Sequence, residues 1–373
     1  MSWCAHRVVL VGAGHAHVEV LRRAKARALG GASLTLVVDT PESIYSGMVP
    51  GMVAGQYRAD QIVIDAAALA RAAGAEVIVD PVVRIEPRIS RLSMRSGRTL
   101  SYDTASLDLG CTVAGSDTPG VSGNALPVRP MRELIGKVDA LVERAEQRSS
   151  DRRFRLLVVG AGAGGVELAF CFEARLRRGS AVAPEITIVD AGHDLLSGRS
   201  RALVSRTRRA AERRGIGFQG GVRVVAMDEH AVLLDDGRRL PFDAAVWVAG
   251  PSAHAFLRDS ELPVDVDGFV RIGPTFQVQG YANLFAVGDC ASLPGMEKAG
   301  VYAVRAGPVL CDNLRRRLCG RSLRRYAPQS DFLSLLNLGD GSAVGGRSGI
   351  AFEGKWVHWL KDRIDRKFVE SYQ

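Results

Sequence analysis

The chain has no C-x-x-C pair. Its six cysteines, Cys4, Cys111, Cys171, Cys290, Cys311 and Cys319, are scattered, and none stands at a zinc-ligand spacing from a histidine. That excludes a dithiol relay between neighbouring cysteines and a structural zinc site, and free thiols point to a reducing compartment, the cytoplasm. No basic stretch, apolar core and cleavage site open the chain, because the first apolar run is already a strand leading to Gly12. Nor is there an unbroken apolar run of spanning length. The longest, Leu156 to Phe172, is interrupted by Glu167 and studded with glycine. Aromatics make up 6% of the residues and are not interleaved with a basic platform, which argues against a nucleic-acid binder. What remains is ordinary for a globular enzyme of two or three domains, with 47% hydrophobic and 24% charged residues. The net charge of +9 comes largely from arginines clustered between Arg199 and Arg214 and between Arg315 and Arg325. Such clusters suit either a solvated helix face or a surface for an acidic protein or an anionic membrane.

The glycines are better organised than the charges. Arg7 to Val18 reads RVVLVGAGHAHV: a β-branched run suited to a buried parallel strand, then Gly12 and Gly14, then a helix. In a dinucleotide fold the first glycine permits the tight turn and the second lets a pyrophosphate approach. The N–H groups opening the helix, at His15, Ala16 and His17, hold the anion. His17 stands where a third glycine is usual, so either the helix sits away from the sheet or the imidazole has a role of its own. Ser33 to Asp39 reads as a second strand ending in a carboxylate placed for a ribose, though Asp39 could equally cap the turn at Thr40-Pro41. Arg155 to Ala169, RLLVVGAGAGGVELA, repeats the pattern with all three glycines, Gly160, Gly162 and Gly165, and the strand Ile186 to Val189 ends in Asp190. Two such units in one chain predict an α/β protein with two Rossmann-like domains. A carboxylate at Asp190 bonds a free 2′-hydroxyl and repels a 2′-phosphate, favouring NADH over NADPH.

Between and beyond these units the chain offers Tyr45 to Gly55 as loop or short helical turns near the ligand, and Val82 to Leu100 as a meander. Pro119 to Pro130 reads as a crossing between domains, Met131 to Arg148 as a helix, and Ala244 to Gly250 as the return. The expected division is 1–122 for the first part of one nucleotide domain, 123–247 for an inserted second, 248–320 for the rest of the first, and 321–373 for a C-terminal segment. Leu284 to Asp289 is a buried strand stopping at Gly288-Asp289, where the carboxylate could bond ligand hydroxyls or cap the helix that follows. A long helix is predicted over Ala299 to Leu314. In the tail, Trp356, Leu360, Ile364 and Phe368 recur at i+4 with Lys361, Arg363, Arg366 and Lys367 interleaved, a face suited to docking on the protein or to a membrane interface. His15 and His17 lack the further ligands of a metal site, and no metal is expected.

With VGAGHAHVEVL, VGAGAGGVELA and NLFAVGD in this order, the chain resembles the two-dinucleotide-domain flavoproteins of the pyridine nucleotide-disulfide reductase superfamily. It looks most like the type II NADH dehydrogenase branch. Through GHAHVEVLRR, YSGMVPGMVAGQY, KAGVYAVRAGPVL and WLKDRIDRKF it is similar to the flavoprotein module fused to selenide, water dikinase, without the kinase. The resemblance implies FAD on Gly12, Gly14 and Asp39, with Gly288 and Asp289 at the ribityl chain, and NADH on Gly160, Gly162, Gly165 and Asp190. It implies Glu167 as the catalytic group beside the nicotinamide. Disulfide reductases carry their cysteine pair in the place of Tyr45 to Gly55, which here has none. The quinone-box glutamines of type II dehydrogenases are replaced by Val301 and Arg305, with Ala303 retained.

The expected reaction is hydride transfer from NADH to flavin and passage of electrons to a diffusible acceptor, a quinone among the candidates. The helix opening at Ala299 and Gly300 would stabilise the reduced flavin. Two alternatives remain: reduction of a small acidic electron carrier docked on the arginines, and a redox auxiliary role in selenium or sulfur metabolism. Location in the cytoplasm, or peripherally at the inner face of the membrane through the C-terminal helix, completes the expectation.

Overall fold

A computed structural model describes residues 6–147, 152–179 and 183–373; Cys4 and Arg148 lie outside them. Two five-stranded parallel sheets organise the chain. The first runs Leu284–Ala286, Thr104–Leu107, Arg7–Val11, Ser33–Val38, Glu76–Val79, and the second runs Leu126–Pro127, Ala244–Trp247, Arg155–Val159, Glu185–Asp190, Gly217–Gly220. In each, the strand before a glycine turn lies in the middle. Its apolar residues are buried because both faces are covered: in the second sheet Leu157, Val159 and Trp247 cluster with Met227, Val232 and Leu234 of a meander on one side, and a helix packs on the strands from the other, so near-continuous valine and leucine runs are what these positions require.

Each sheet carries a three-stranded antiparallel meander before its closing strand: Val82–Glu86, Arg91–Met94 and Thr99–Ser101 in the first, Val224–Met227, Ala231–Leu234 and Arg239–Pro241 in the second. The chain passes between the halves on Thr112–Val113 and Pro251–Ser252, which pair antiparallel. The predicted crossing at Pro119 to Pro130 contains a short helix, Val121–Asn124, and the edge strand Leu126–Pro127. The helix expected from Ala299 runs Gly300–Leu318 and packs along His15–Ala26.

The C-terminal segment forms a third antiparallel sheet, Ser334–Asn337, Ala343–Arg347 and Ile350–Gly354, and the helix Lys355–Glu370. This helix corrects an expectation. Its buried stripe is Val357, Lys361, Asp365 and Val369, one position on from the Trp356, Leu360, Ile364 and Phe368 stripe. Trp356 (54% exposed), Trp359 (58%) and Ile364 (45%) face outward. A buried ion cluster, described below, sets the rotation in place of the apolar periodicity. Among the described residues no helix is long and apolar enough to cross a membrane.

Candidate functional site: two nucleotide cradles joined by the C-terminal helix

At the first turn Gly12 has a φ of 87°, and at the second Gly160 has 118°, conformations that only glycine adopts freely. Each donates its amide 2.8 Å to the neighbouring strand, at Val37 and Val189. A Cβ would overlap the backbone oxygen of Asp108 at Gly12 and of Val248 at Gly160. Gly165 is required by contact: its Cβ would overlap the Gly160 carbonyl oxygen, so the helix lies directly on the turn. Gly162 has nothing within 4 Å of its Cβ position, open space that suits the approach of a ligand.

His17 takes the place of Gly165 in the first turn and resolves the alternative posed by the sequence. Its ring is fully buried, with Nδ1 2.7 Å from the Gly12 carbonyl and Nε2 2.8 Å from the Ser106 hydroxyl. A carbonyl only accepts, so Nδ1 carries the proton and Nε2 accepts from Ser106. Burial holds the ring's pKa down at about 4, so it is a neutral structural linker. Gly14 also has a use that the motif does not state, since a Cβ there would collide with the Asp108 carboxyl group. His15 opens the helix between the rings of Tyr45 and Phe368, at centroid distances of 5.4 and 5.7 Å. Its Nε2 is buried without a partner among the described residues, and burial lowers its pKa to about 4.

The acids ending the second strands differ. Asp39 is exposed and, among the described residues, accepts from the amide of Thr40 at 2.9 Å, the capping alternative. Asp190 accepts from Ala161 at 2.7 Å and Gly192 at 2.6 Å, so it braces its own glycine turn. Asp289 does not cap the next helix, which begins eleven residues later with Ala299 as its N-cap and without a side-chain cap. It pairs instead with Arg129 at 3.1 Å, beside the Cys111 thiol, and burial pushes that thiol up to about 12. Arg305 binds the Gln329 side chain, not an acid.

Glu167 reaches from the helix Ala163–Gly179 into a buried cluster. Its Oε1 accepts from the Asn337 amide at 2.8 Å and lies 3.7 Å from Lys361 Nζ. Lys361 donates to the Gly47 carbonyl (2.9 Å) and to Asp365 Oδ2 (3.0 Å), while the Tyr45 hydroxyl donates to Asp365 Oδ1 at 3.0 Å. Burial raises the pKa of both acids. The ammonium they share offsets this only in part, and they hold Lys361 above its ordinary range. The sequence reading put the segment from Tyr45 near the ligand and Lys361 on the last helix without joining them, and missed Asp365, Asn337 and Asp108. The available signal was the second i+4 stripe of the last helix, Val357-Lys361-Asp365-Val369, which runs beside the apolar one.

The arginine clusters are largely engaged. Arg199 pairs with Glu297, Arg208 with Asp194, Arg213 with Glu353, and Arg214 with Glu173 and Asp340. Arg315 donates to the carbonyls of Arg23 and Arg27, Arg316 to that of Ser322, and Arg324 pairs with Asp312.

Two Rossmann-like halves, each with a glycine turn and a terminal acid, define a two-nucleotide oxidoreductase. The orphaned His15 Nε2 in the first cradle and the open space at Gly162 in the second fit residues built to receive FAD and a nicotinamide nucleotide. The profile of the pyridine nucleotide-disulphide oxidoreductases matches residues 6–307, and the chain belongs to that family. It is an FAD-dependent NAD(P)H oxidoreductase that resembles the type II NADH dehydrogenases. It is 25% identical to the type II NADH:quinone oxidoreductase Ndh of Mycobacterium tuberculosis, over 95% of this chain and 83% of that protein. It is 26% identical to the NADH dehydrogenase-like protein YutJ of Bacillus subtilis, over 87% of each. In fold it is similar to the sulfide:quinone oxidoreductase of Aquifex aeolicus, with a TM-score of 0.84 at 18% identity, covering 99% of this chain and 91% of that one.

Proposed function

We propose that the protein takes hydride from NADH, in preference to NADPH, and delivers the electron pair to a diffusible quinone-type acceptor without a disulfide intermediate. The observation that carries this reading is what covers the segment after the first ribose acid. Where a disulfide reductase would carry cysteines, Tyr45 and Gly47 are bonded to Asp365 and Lys361 of the C-terminal helix, next to Glu167. FAD, when bound, supplies the two-electron store between nucleotide and acceptor.

Gly12, Gly14, His15, Asp39, Gly288, Asp289, Ala299 and Gly300 hold the flavin nucleotide in this reading, whereas the amides of Ala16 and His17, expected to meet its diphosphate, are taken by the Asp108 carboxyl group; Gly160, Gly162, Gly165 and Asp190 hold NADH. Residues 1–122 and 248–320 form the flavin domain around the inserted 123–247, and 321–373 closes the acceptor side. Reducing a quinone to a quinol takes up two protons with two electrons. In this reading Glu167, whose pKa burial raises, passes a proton through its carboxyl group, with the Lys361 ammonium beside it. The outward face of the last helix, with Trp356, Trp359 and Ile364 among Lys355, Arg363 and Lys367, supports peripheral contact with an anionic membrane at the cytoplasmic side, where such acceptors dissolve.

The test is anaerobic. NADH is added to the yellow protein, then quinones and small acidic carriers, with flavin absorbance read at each step. Bleaching by NADH and recovery on quinone are expected. Bleaching that no quinone reverses would overturn the acceptor assignment.

A further inference from the structure

The first glycine turn is closed by a carboxyl group that neither the glycine motif nor the ribose acids account for. Asp108 follows the strand Thr104–Leu107 and is 2% exposed. Its Oδ2 accepts from the amides of Ala16 (2.9 Å) and His17 (3.1 Å), the donors that open the helix His15–Ala26. Its Oδ1 accepts no hydrogen bond among the described residues, and lies where Cβ atoms on Gly14 and Gly288 would fall. The matching position in the second turn is Val248. A carboxyl group thus occupies the place where two helix amides meet an incoming diphosphate.

The groups around it offer no counter-charge. Asp289, on the short helix Gly288–Cys290, is an anion already paired with Arg129. His17 spends both ring nitrogens on Gly12 and Ser106, and His15 is neutral, as is the Cys290 thiol. Cys111 and Lys298 lie beyond, the thiol against Arg129 and Asp289 and the ammonium on the Ala291 carbonyl.

Resting on the flavin reading above, we infer that Asp108 is a proton-bearing ligand of the dinucleotide diphosphate: Oδ2 accepts from the Ala16 and His17 amides, and the neutral acid donates its Oδ1–H to a diphosphate oxygen at Gly14. Binding then takes up one proton wherever the free protein holds Asp108 ionised. Burial pushes this acid up to about 7, with the two amides pulling the other way and Asp289 adding to the rise. A bound diphosphate raises it further, since like charges disfavour ionisation. A group whose pKa rises on binding makes affinity flat below the free-protein value and weaker above it. FAD affinity should therefore fall on the order of tenfold per pH unit above about 7.

The test removes flavin from the full-length protein and titrates FAD back between pH 6 and 9, reading flavin fluorescence. Calorimetry at pH 8 in two buffers of different ionisation enthalpy counts protons. The wild type should show the slope and an uptake near one proton. Asp108→Asn, which can still accept at one atom and donate from the other, should bind with no slope. An infrared difference spectrum of the wild type should gain a protonated-carboxyl stretch on binding, a readout that does not depend on the variant folding. Flat wild-type binding without proton uptake, or a wild-type slope retained by Asp108→Asn, overturns the inference while leaving the flavin reading intact. A preparation that takes up no flavin at any pH removes both.

Discussion

The two glycine turns solve one problem in two ways. At the second, Gly165 lets the helix rest on the Gly160 carbonyl, and closure is made by close backbone packing. At the first, a histidine and an aspartate fill that space, and closure is made by hydrogen bonds from His17 to Gly12, from Ser106 to His17 and from the helix amides to Asp108. The helices that follow extend the parallel. Glu19 and Glu167 stand at the same offset from their glycines, and each meets the C-terminal segment. Burial pushes Glu19 up, but hydrogen bonds from Arg22 and Arg23 outweigh this and leave its acidity strengthened. For Glu167 burial prevails. One position in a duplicated frame thus meets two arginines in one copy and a buried lysine in the other.

The difference can be broken at several points. Lys361→Met keeps the side chain's bulk but leaves Glu167 and Asp365 without their ammonium, and should cost about 3–5 kcal/mol in urea unfolding at neutral pH. Gly165→Ala forces a methyl against the Gly160 carbonyl. It should cost about 3 kcal/mol in the same assay and raise the KM for NADH, with flavin content unchanged. Glu167→Gln should slow quinone reduction roughly a hundredfold in stopped-flow measurements. The wild-type rate should fall as pH rises through the raised pKa of Glu167, because only the protonated acid can donate, and the variant should lack that limb. His17→Gly makes the first turn resemble the second in sequence but strands Ser106 and empties a buried site. A loss of about 2 kcal/mol by chemical denaturation is expected. Glu19→Gln should cost about 1 kcal/mol at pH 7, since its arginine partners are well exposed. Because the folded-state pKa is lowered, that contribution is present above the unfolded value and vanishes as pH falls through the folded one, which acid titrations of wild type and variant would show.

Both turns were legible in the sequence because a buried parallel strand and a positive φ each demand specific residue types, so valine runs ending in glycine announce them. The acids were legible as positions but less so in their contacts: Asp39 and Asp190 end the expected strands, yet Asp190 braces its own turn. Asp108 escaped because its partners lie about ninety residues away in sequence, at Ala16 and His17, and SLDLG has no local pattern that signals a buried acid. The last helix misled because two i+4 stripes lie side by side on it. Periodicity alone favours the apolar one, whereas the contacts of Lys361 with Glu167 and Gly47 and of Asp365 with Tyr45 bury the stripe next to it.

The last helix and the residues just after it touch both copies of the repeated glutamate, Lys361 at Glu167 and Tyr372 at Glu19. It is thus riveted to each lobe, at Lys361 within the helix and at Tyr372 just past its end, like a crossbar on a gate. A swing of one lobe against the other would have to pull out a buried rivet.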